Sequence, residues 1–147
     1  MSTMKIRAAR SDDLDAIKAL LGENGLQASD ITVLLLKDFL VAENADGVLV
    51  GSVGLERFGG NALLRSLAVA QPARNSGLGG NLVARAEDLA RASDVSELWL
   101  LTTTAADFFL RWGYGAVNRS SASAELLAST QFAQLCPASA GCMKKTL

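Results

Sequence analysis

The chain has 147 residues, 50% of them apolar and 20% charged, with 14 basic against 15 acidic side chains, the profile of one globular domain with room for a real core. A net charge near zero gives no reason to expect nucleic acid or a membrane surface as partner. Histidine is absent, which removes histidine-based triads and zinc sites, and Cys136 and Cys142 alone make a poor structural zinc site, so no metal is expected.

The opening MSTMKIRAARSDD is charged and lacks an apolar centre, and no apolar run reaches membrane-spanning length, so a cytoplasmic location is expected. Met4 to Ala9 reads as a first strand. Ser11 then caps a helix with Asp12 and Asp13 in its first turn and Leu14, Ile17, Leu20 and Leu21 as its buried stripe, ended by Gly22 to Gly25. From Gln27 to Lys37 the reading is ambiguous: Ser29-Asp30 could cap a second helix through Leu36, against the weak helix propensity of Ile31, Thr32 and Val33. Phe39 to Glu43 and Val48 to Arg57 are strands joined by a turn at Asn44-Ala45-Asp46-Gly47, and Gly59-Gly60-Asn61 turns into a central strand.

That strand opens the most informative stretch, LLRSLAVAQPARNSGLGGNLVARAEDL, from Leu63 to Leu89. An apolar run broken by Arg65 and Ser66 is stopped by Pro72, a turn rich in glycine (Gly77, Gly79, Gly80) follows, and Leu82, Val83, Ala86, Leu89 and Ala90 then mark an amphipathic helix. Backbone amides and a helix N-terminus converge there, which is an anion-binding device. No lysine occurs between Lys37 and Lys144, so a nucleotide P-loop is excluded, and the spacing of glycines does not meet the dinucleotide fingerprint. Farther on, Glu97 to Thr102 reads as a buried parallel strand, Ala105 to Trp112 as a short helix ended by Gly113, and Tyr114 to Arg119 as a strand. Ser123 to Leu135 reads as a helix with Leu126, Leu127, Thr130 and Phe132 inward, Pro137 ends it, and Gly141 to Thr146 is a last strand. Two unpaired thiols are expected at Cys136 and Cys142, with a disulfide or a thiophilic ligand as alternatives.

Arg74-x-x-Gly77-x-Gly79 after Leu67-x-Val69-x-x-Pro72 resembles the pyrophosphate loop of the GNAT superfamily, the acyl-coenzyme A-dependent N-acyltransferases, and Ala105-x-x-Phe108-Phe109-x-x-x-Gly113-Tyr114 resembles that family's Ala-x-x-Leu-Tyr-x-x-x-Gly-Phe. More narrowly, LLRSLAV, LLTTTAADFF and QFAQLCPASAGCMKK are similar to small arsenic-resistance-associated GNAT proteins of bacterial arsenic operons. The resemblance implies a single α/β (α+β) domain with a mixed central sheet of about six to seven strands flanked by helices, in the order strand, two helices, three strands, helix, strand, helix, strand, helix, strand. A homodimer, common in that fold, is compatible with the apolar C-terminal strand.

The implied cofactor is acetyl-coenzyme A. Its pantetheine arm would pair with Leu67, Ala68 and Val69, its pyrophosphate would meet Arg74, Asn75, Ser76, Gly77, Leu78, Gly79 and Gly80, and Thr102 and Phe108 would complete its cleft. Thr102 stands where the family often has asparagine. Acyl transfer to a small-molecule amine needs a base, an oxyanion donor and a proton for the leaving thiolate. Glu56 is the candidate base, with a surface glutamate on an edge strand as its bland alternative, and the Val69 amide is the donor that the resemblance implies. Phe109 replaces a family tyrosine and has no proton to give, which leaves water, Thr103 or Thr104, with Tyr114 a weak substitute. Arg65, in an apolar strand, requires a carboxylate, either an internal acid such as Glu56 or one on the substrate, the latter preferred here. Arg7, Ser66, Thr103 and Arg119 are further acceptor-pocket candidates. An amino acid, or a glutamate-like arsenical or phosphinate analogue, would satisfy base and clamp together. The competing readings are a non-catalytic module sensing acyl-coenzyme A or a metalloid and, less favoured, acetylation of a protein tail.

Overall fold

Three of the chain's most apolar stretches become neighbours at the centre of one sheet. A computed structural model describes residues 4–26, 28–74, 76–103, 105–129, 132–133 and 140–147. Its strands are β1 (Lys5–Ala8), β2 (Phe39–Glu43), β3 (Leu49–Phe58), β4 (Asn61–Val69), β5 (Glu97–Thr102), β6 (Gly115–Ala116) and β7 (Gly141–Thr146), and its helices α1 (Leu14–Glu23), α2 (Leu78–Ala92), α3 (Ala106–Arg111) and α4 (Ala124–Leu127). The strands form one sheet in the order β1-β2-β3-β4-β5-β7-β6. Every pairing is antiparallel except β4 with β5, which are joined by the α2 crossover.

Alternation sorts side chains between the two faces. Ala62, Leu64, Leu98 and Leu100 meet Leu82, Val83, Ala86 and Ala90 of α2 on one face. On the other, Phe39, Val41 and Ala68 pack under Ile17, Leu20 and Leu21 of α1, while Leu63 and Trp99 pack with Leu126 and Phe132. The β2–β3 turn forms as read: Asn44 Oδ1 accepts from the amides of Asp46 at 2.9 Å and Val48 at 3.0 Å, and Gly47 takes φ +78°.

Four expectations need correction. Ser11 caps no α-helix; it begins a 3-10 turn, Ser11–Asp13, and Asp13 instead accepts the Arg10 amide at 2.7 Å. Residues 29–36 form no second α-helix, and only a 3-10 turn, Leu35–Asp38, occurs there. Ile31-Thr32-Val33 disfavours helix, and the Asp30 carboxylate that would cap it is bonded to Arg65. The strand expected from Tyr114 to Arg119 shortens to two residues, because the Asn118 side chain accepts from the Ser120 amide and diverts the chain into a 3-10 turn. Helix α4 runs only from Ala124 to Leu127 behind its Ser123 cap, with Leu126 buried and Leu127 turned outward; Thr130 and residues 134–139 lie outside the described residues. Cys142 is a buried free thiol whose pKa is pushed up by burial, and Cys136 also lies outside the described residues.

Candidate active site

The central strands part early. Strand β4 pairs with β5 only from Asn61 to Leu63, opposite Glu97 to Trp99. Next to the parting, Ser52 pairs with Ala68 and Gly54 with Arg65, so Ser66 and Leu67 together face the single residue Val53. This β-bulge puts Ser66 at φ +59° and turns β4 away from β5. The gap is a cleft of about 280 Å³, with Arg65, Ser66 and Leu67 on one wall, Thr102 and Thr103 on the other and Asn24 among its lining. The Ala70 amide bonds to the Val50 carbonyl at 2.8 Å. Antiparallel pairs alternate between bonded and unbonded, so the adjacent Val69 turns its amide away from β3, towards the side where β5 has left.

Past β4, a 3-10 turn, Gln71–Ala73, leads to Gly77, which caps α2 in the left-handed region at φ +83°. The first amides of α2 have no intrahelical acceptor. Two glycines at this N-terminus differ in purpose. A Cβ on Gly79 would meet only ordinary contacts, Phe108 at 3.5 Å being nearest, whereas one on Gly80 would fall 2.1 Å from the Trp112 ring. Gly80 therefore admits the indole, and Gly79 keeps the loop mouth open. Ser76 Oγ donates to the Ala73 carbonyl at 2.5 Å and stiffens the turn. Arg74 folds back over the end of β4, donating to the Val69 carbonyl at 3.1 Å and to Asn24 Oδ1 at 2.9 Å. Open amides, a helix N-terminus and an adjacent arginine fit a pyrophosphate. Asn75 lies outside the described residues.

On the face shared with Leu63, Arg65 is 5% exposed and lies within a carboxylate pair. Asp30 binds its two terminal nitrogens at 2.6 Å each, and Glu56 Oε1 takes a third bond at 3.0 Å. Burial opposes its charge, but the hydrogen bonds and charge of Asp30, then of Glu56, outweigh that and hold the guanidinium pKa above its ordinary value. Internal acids thus fill the role for which a substrate carboxylate was preferred. A second cavity, of about 530 Å³, has Asp30, Asp38, Glu56, Lys37 and Arg57 on its wall. The ion triad consequently stands between the two cavities, Arg65 lining the first and its two acids the second.

Residues 36–115, over half of the chain, match the family described as Acetyltransferase (GNAT) domain. An uncharacterized N-acetyltransferase of Chlorobaculum tepidum is 31% identical over 121 residues, which cover 78% of this chain and 77% of that protein. The chain belongs to the GNAT acetyltransferases. Its fold is shared with N-acetylglutamate synthase from Neisseria gonorrhoeae, solved with coenzyme A and N-acetyl-glutamate, at TM-score 0.84 and 24% identity over 99% of this chain; the chain spans 35% of that one. The Mycobacterium tuberculosis protein Rv2747, solved with coenzyme A and NLQ, gives TM-score 0.80 and 23% identity over 97% of this chain and 99% of its own.

Several expected site residues of this GNAT domain, Arg65, Ser66, Leu67, Thr102 and Thr103, line the cleft, whereas Phe108 stands beside Gly79 and Glu56 is bonded to Arg65 but lines the second cavity. Thr102 Oγ1 accepts from the Ala105 amide at 2.9 Å and anchors the start of α3. Two arginines are elsewhere. Arg7, on the sheet-edge strand β1, is held by Asp13 at 2.8 Å and Glu43 at 3.3 Å, which raise its pKa. Arg119 donates to the Phe132 carbonyl, lies over the Phe132 ring and is not among the residues lining the cleft. Tyr114 is removed as a proton donor: it is buried, its hydroxyl donates to Glu87 at 3.0 Å, and burial followed by the Glu87 charge raises its pKa. Thr104 lies outside the described residues. Sequence reasoning missed Asp30, whose partner is 35 residues away, and did not single out Glu87, which is buried in α2. A signal existed for Glu87, since it falls four residues after Val83 and three before Ala90, within the apolar stripe.

Proposed function

We propose that this domain moves an acetyl group from acetyl-coenzyme A to the primary amine of a small acceptor that also carries a carboxylate or a similar oxoanion. The observation that carries the reading is the state of Glu56. Its Oε1 is pinned by Arg65, while Oε2 has no hydrogen-bond partner among the described residues; its residue pairs with Leu63, the last of β4 to pair with β5, and its side chain lines the second cavity.

When bound, acetyl-coenzyme A supplies the activated thioester. The loop residues Arg74 and Ser76 to Gly80 would hold its pyrophosphate, with Asn75 assigned there by sequence alone, and the β4 edge from Leu67 to Val69, with Thr102 and Phe108, would line the arm's path. The Val69 amide, turned away from β3, would polarise the carbonyl of a bound thioester. Glu56 Oε2 takes the proton that the acceptor's ammonium must lose before its nitrogen becomes a nucleophile. Phe109 has no proton and the Tyr114 hydroxyl is committed to Glu87, so Thr103 or solvent protonates the departing sulfur. An amino acid acceptor agrees with the N-acetyl-glutamate bound to the Neisseria relative, and the narrower resemblance extends the class to arsenical and phosphinate analogues of glutamate.

One observation favours a non-catalytic sensor of acyl-coenzyme A instead: neither Phe109 nor Tyr114 offers the cleft a proton. Thiol release by the wild-type chain and by Glu56→Gln decides between them. Loss of the base is expected to lower kcat/KM by about 10²- to 10⁴-fold with acetyl-coenzyme A affinity unchanged. Unchanged turnover in the variant would remove Glu56 from the mechanism, and no turnover by the wild type on any amine would favour the sensor.

A further inference from the structure

We infer that Asp30 is a built-in latch on the acceptor subsite, occupying the Arg65 fork until the acceptor's own carboxylate takes its place. This rests on the acceptor class proposed above and names the residue that sets its specificity.

Two parallel bonds of 2.6 Å to the terminal nitrogens are the geometry that any free carboxylate reproduces on a guanidinium. Glu56, with one bond at 3.0 Å, and Ser66 Oγ, 3.3 Å from Nε, leave the fork itself to Asp30. Arg65 lines the cleft and Asp30 and Glu56 the second cavity, so the bidentate pair ties a residue of one lining to a residue of the other. Exchange of one carboxylate for another keeps the guanidinium paired throughout, so the large cost of an unpaired buried charge never arises. An acceptor without a carboxylate has no such exchange available and gains nothing from an open fork.

The room for release is also present. The Asp30 side chain is 14% exposed, and rotation into the second cavity would turn it towards a wall carrying Lys37 and the Arg57–Asp38 pair. Its neighbours Ile31 and Leu36 stay buried in the core while Val33 and Leu34 are exposed, so release loosens the segment's backbone between core anchors that stay seated. A site competent only when the latch is open binds with an affinity reduced by the open fraction. Weakening the latch should therefore tighten carboxylate binding.

The test is calorimetric titration of the full chain, with coenzyme A present, by L-glutamate and by n-propylamine, which is glutamate without its two carboxylates. Asp30→Asn and Asp30→Ala are expected to bind L-glutamate at least about fivefold more tightly than the wild type, Asp30→Glu to return towards wild-type affinity, and n-propylamine to respond to none of them. On the unmodified chain, saturating L-glutamate should speed amide exchange over residues 28–36 and n-propylamine should not, a reading that holds even if the variants fold poorly. Equal or weaker glutamate binding in the Asn and Ala variants, an identical change for both ligands, or no glutamate binding and no change in exchange would overturn the latch. Thiol release measured in parallel separates the two ideas, because glutamate binding that follows the latch pattern, with no thiol release on glutamate or any other amine, would retain the latch and discard the transferase reading.

Discussion

Tyr114 is the chain's single tyrosine, which makes its environment directly measurable. Burial, then the charge of Glu87, holds the phenol above its ordinary value of 10.0. A raised folded-state value means that the neutral phenol's stabilisation is complete below pH 10 and is lost as the pH climbs through the higher folded value. Lys145 supports the same acid, donating to both Glu87 oxygens at 3.1 and 3.0 Å and to the Trp112 carbonyl at 3.0 Å. Tyrosinate absorbance should thus stay absent at about pH 10, where a free tyrosine is half ionised, and should emerge together with loss of helical circular dichroism. Ionisation at the ordinary value in a still-folded chain would contradict the buried bond. Arg65 carries the opposite lesson about legibility: the need for a partner was plain from a guanidinium in an apolar strand, but the choice between substrate and internal acid was not. Asp30, which holds the guanidinium in this structure, is distant in sequence and sits in a segment whose local pattern suggested a helix.

Elements governed by their own side chains were the most legible. Strands β2, β5 and β7 have the limits expected from hydropathy and turn residues, and the β4–loop–α2 unit follows from Pro72, its glycines and the apolar stripe. Where side chains bind backbone or distant charges, local pattern failed, as at Asn118 and Asp30. The bulge in β4 was invisible for a related reason, since it depends on register against β3. Gly54 beside it is required by packing: a Cβ there would lie 2.3 Å from the Phe39 ring, which is 1% exposed. Gly54→Ala should cost about 1–3 kcal/mol in chemical denaturation, the usual penalty of overpacking a tight core, and should also disturb acyl transfer because the strain enters next to the bulge. Wild-type stability in that variant would mean that the ring has space not evident here.

Across the whole molecule the donor site is assembled from parts far apart in the chain: the parting of β4 from β5, the N-terminus of α2, and α3, which places Phe108 near Gly79 and Trp112 against Gly80. Each part contributes backbone or packing, and their convergence follows from the sheet order. No helix among the described residues is long and apolar enough to cross a membrane. The central claim is that this convergence binds acetyl-coenzyme A, and calorimetric titration of the wild-type chain beside Gly79→Glu tests it. The backbone at Gly79 has room for a Cβ, and an acid in the first helical turn suits the dipole, so the variant should fold while its carboxylate fills and repels the pyrophosphate position. Binding by the wild type that is lost in Gly79→Glu is the predicted result; no binding by the wild type, or equal binding by both, would contradict it.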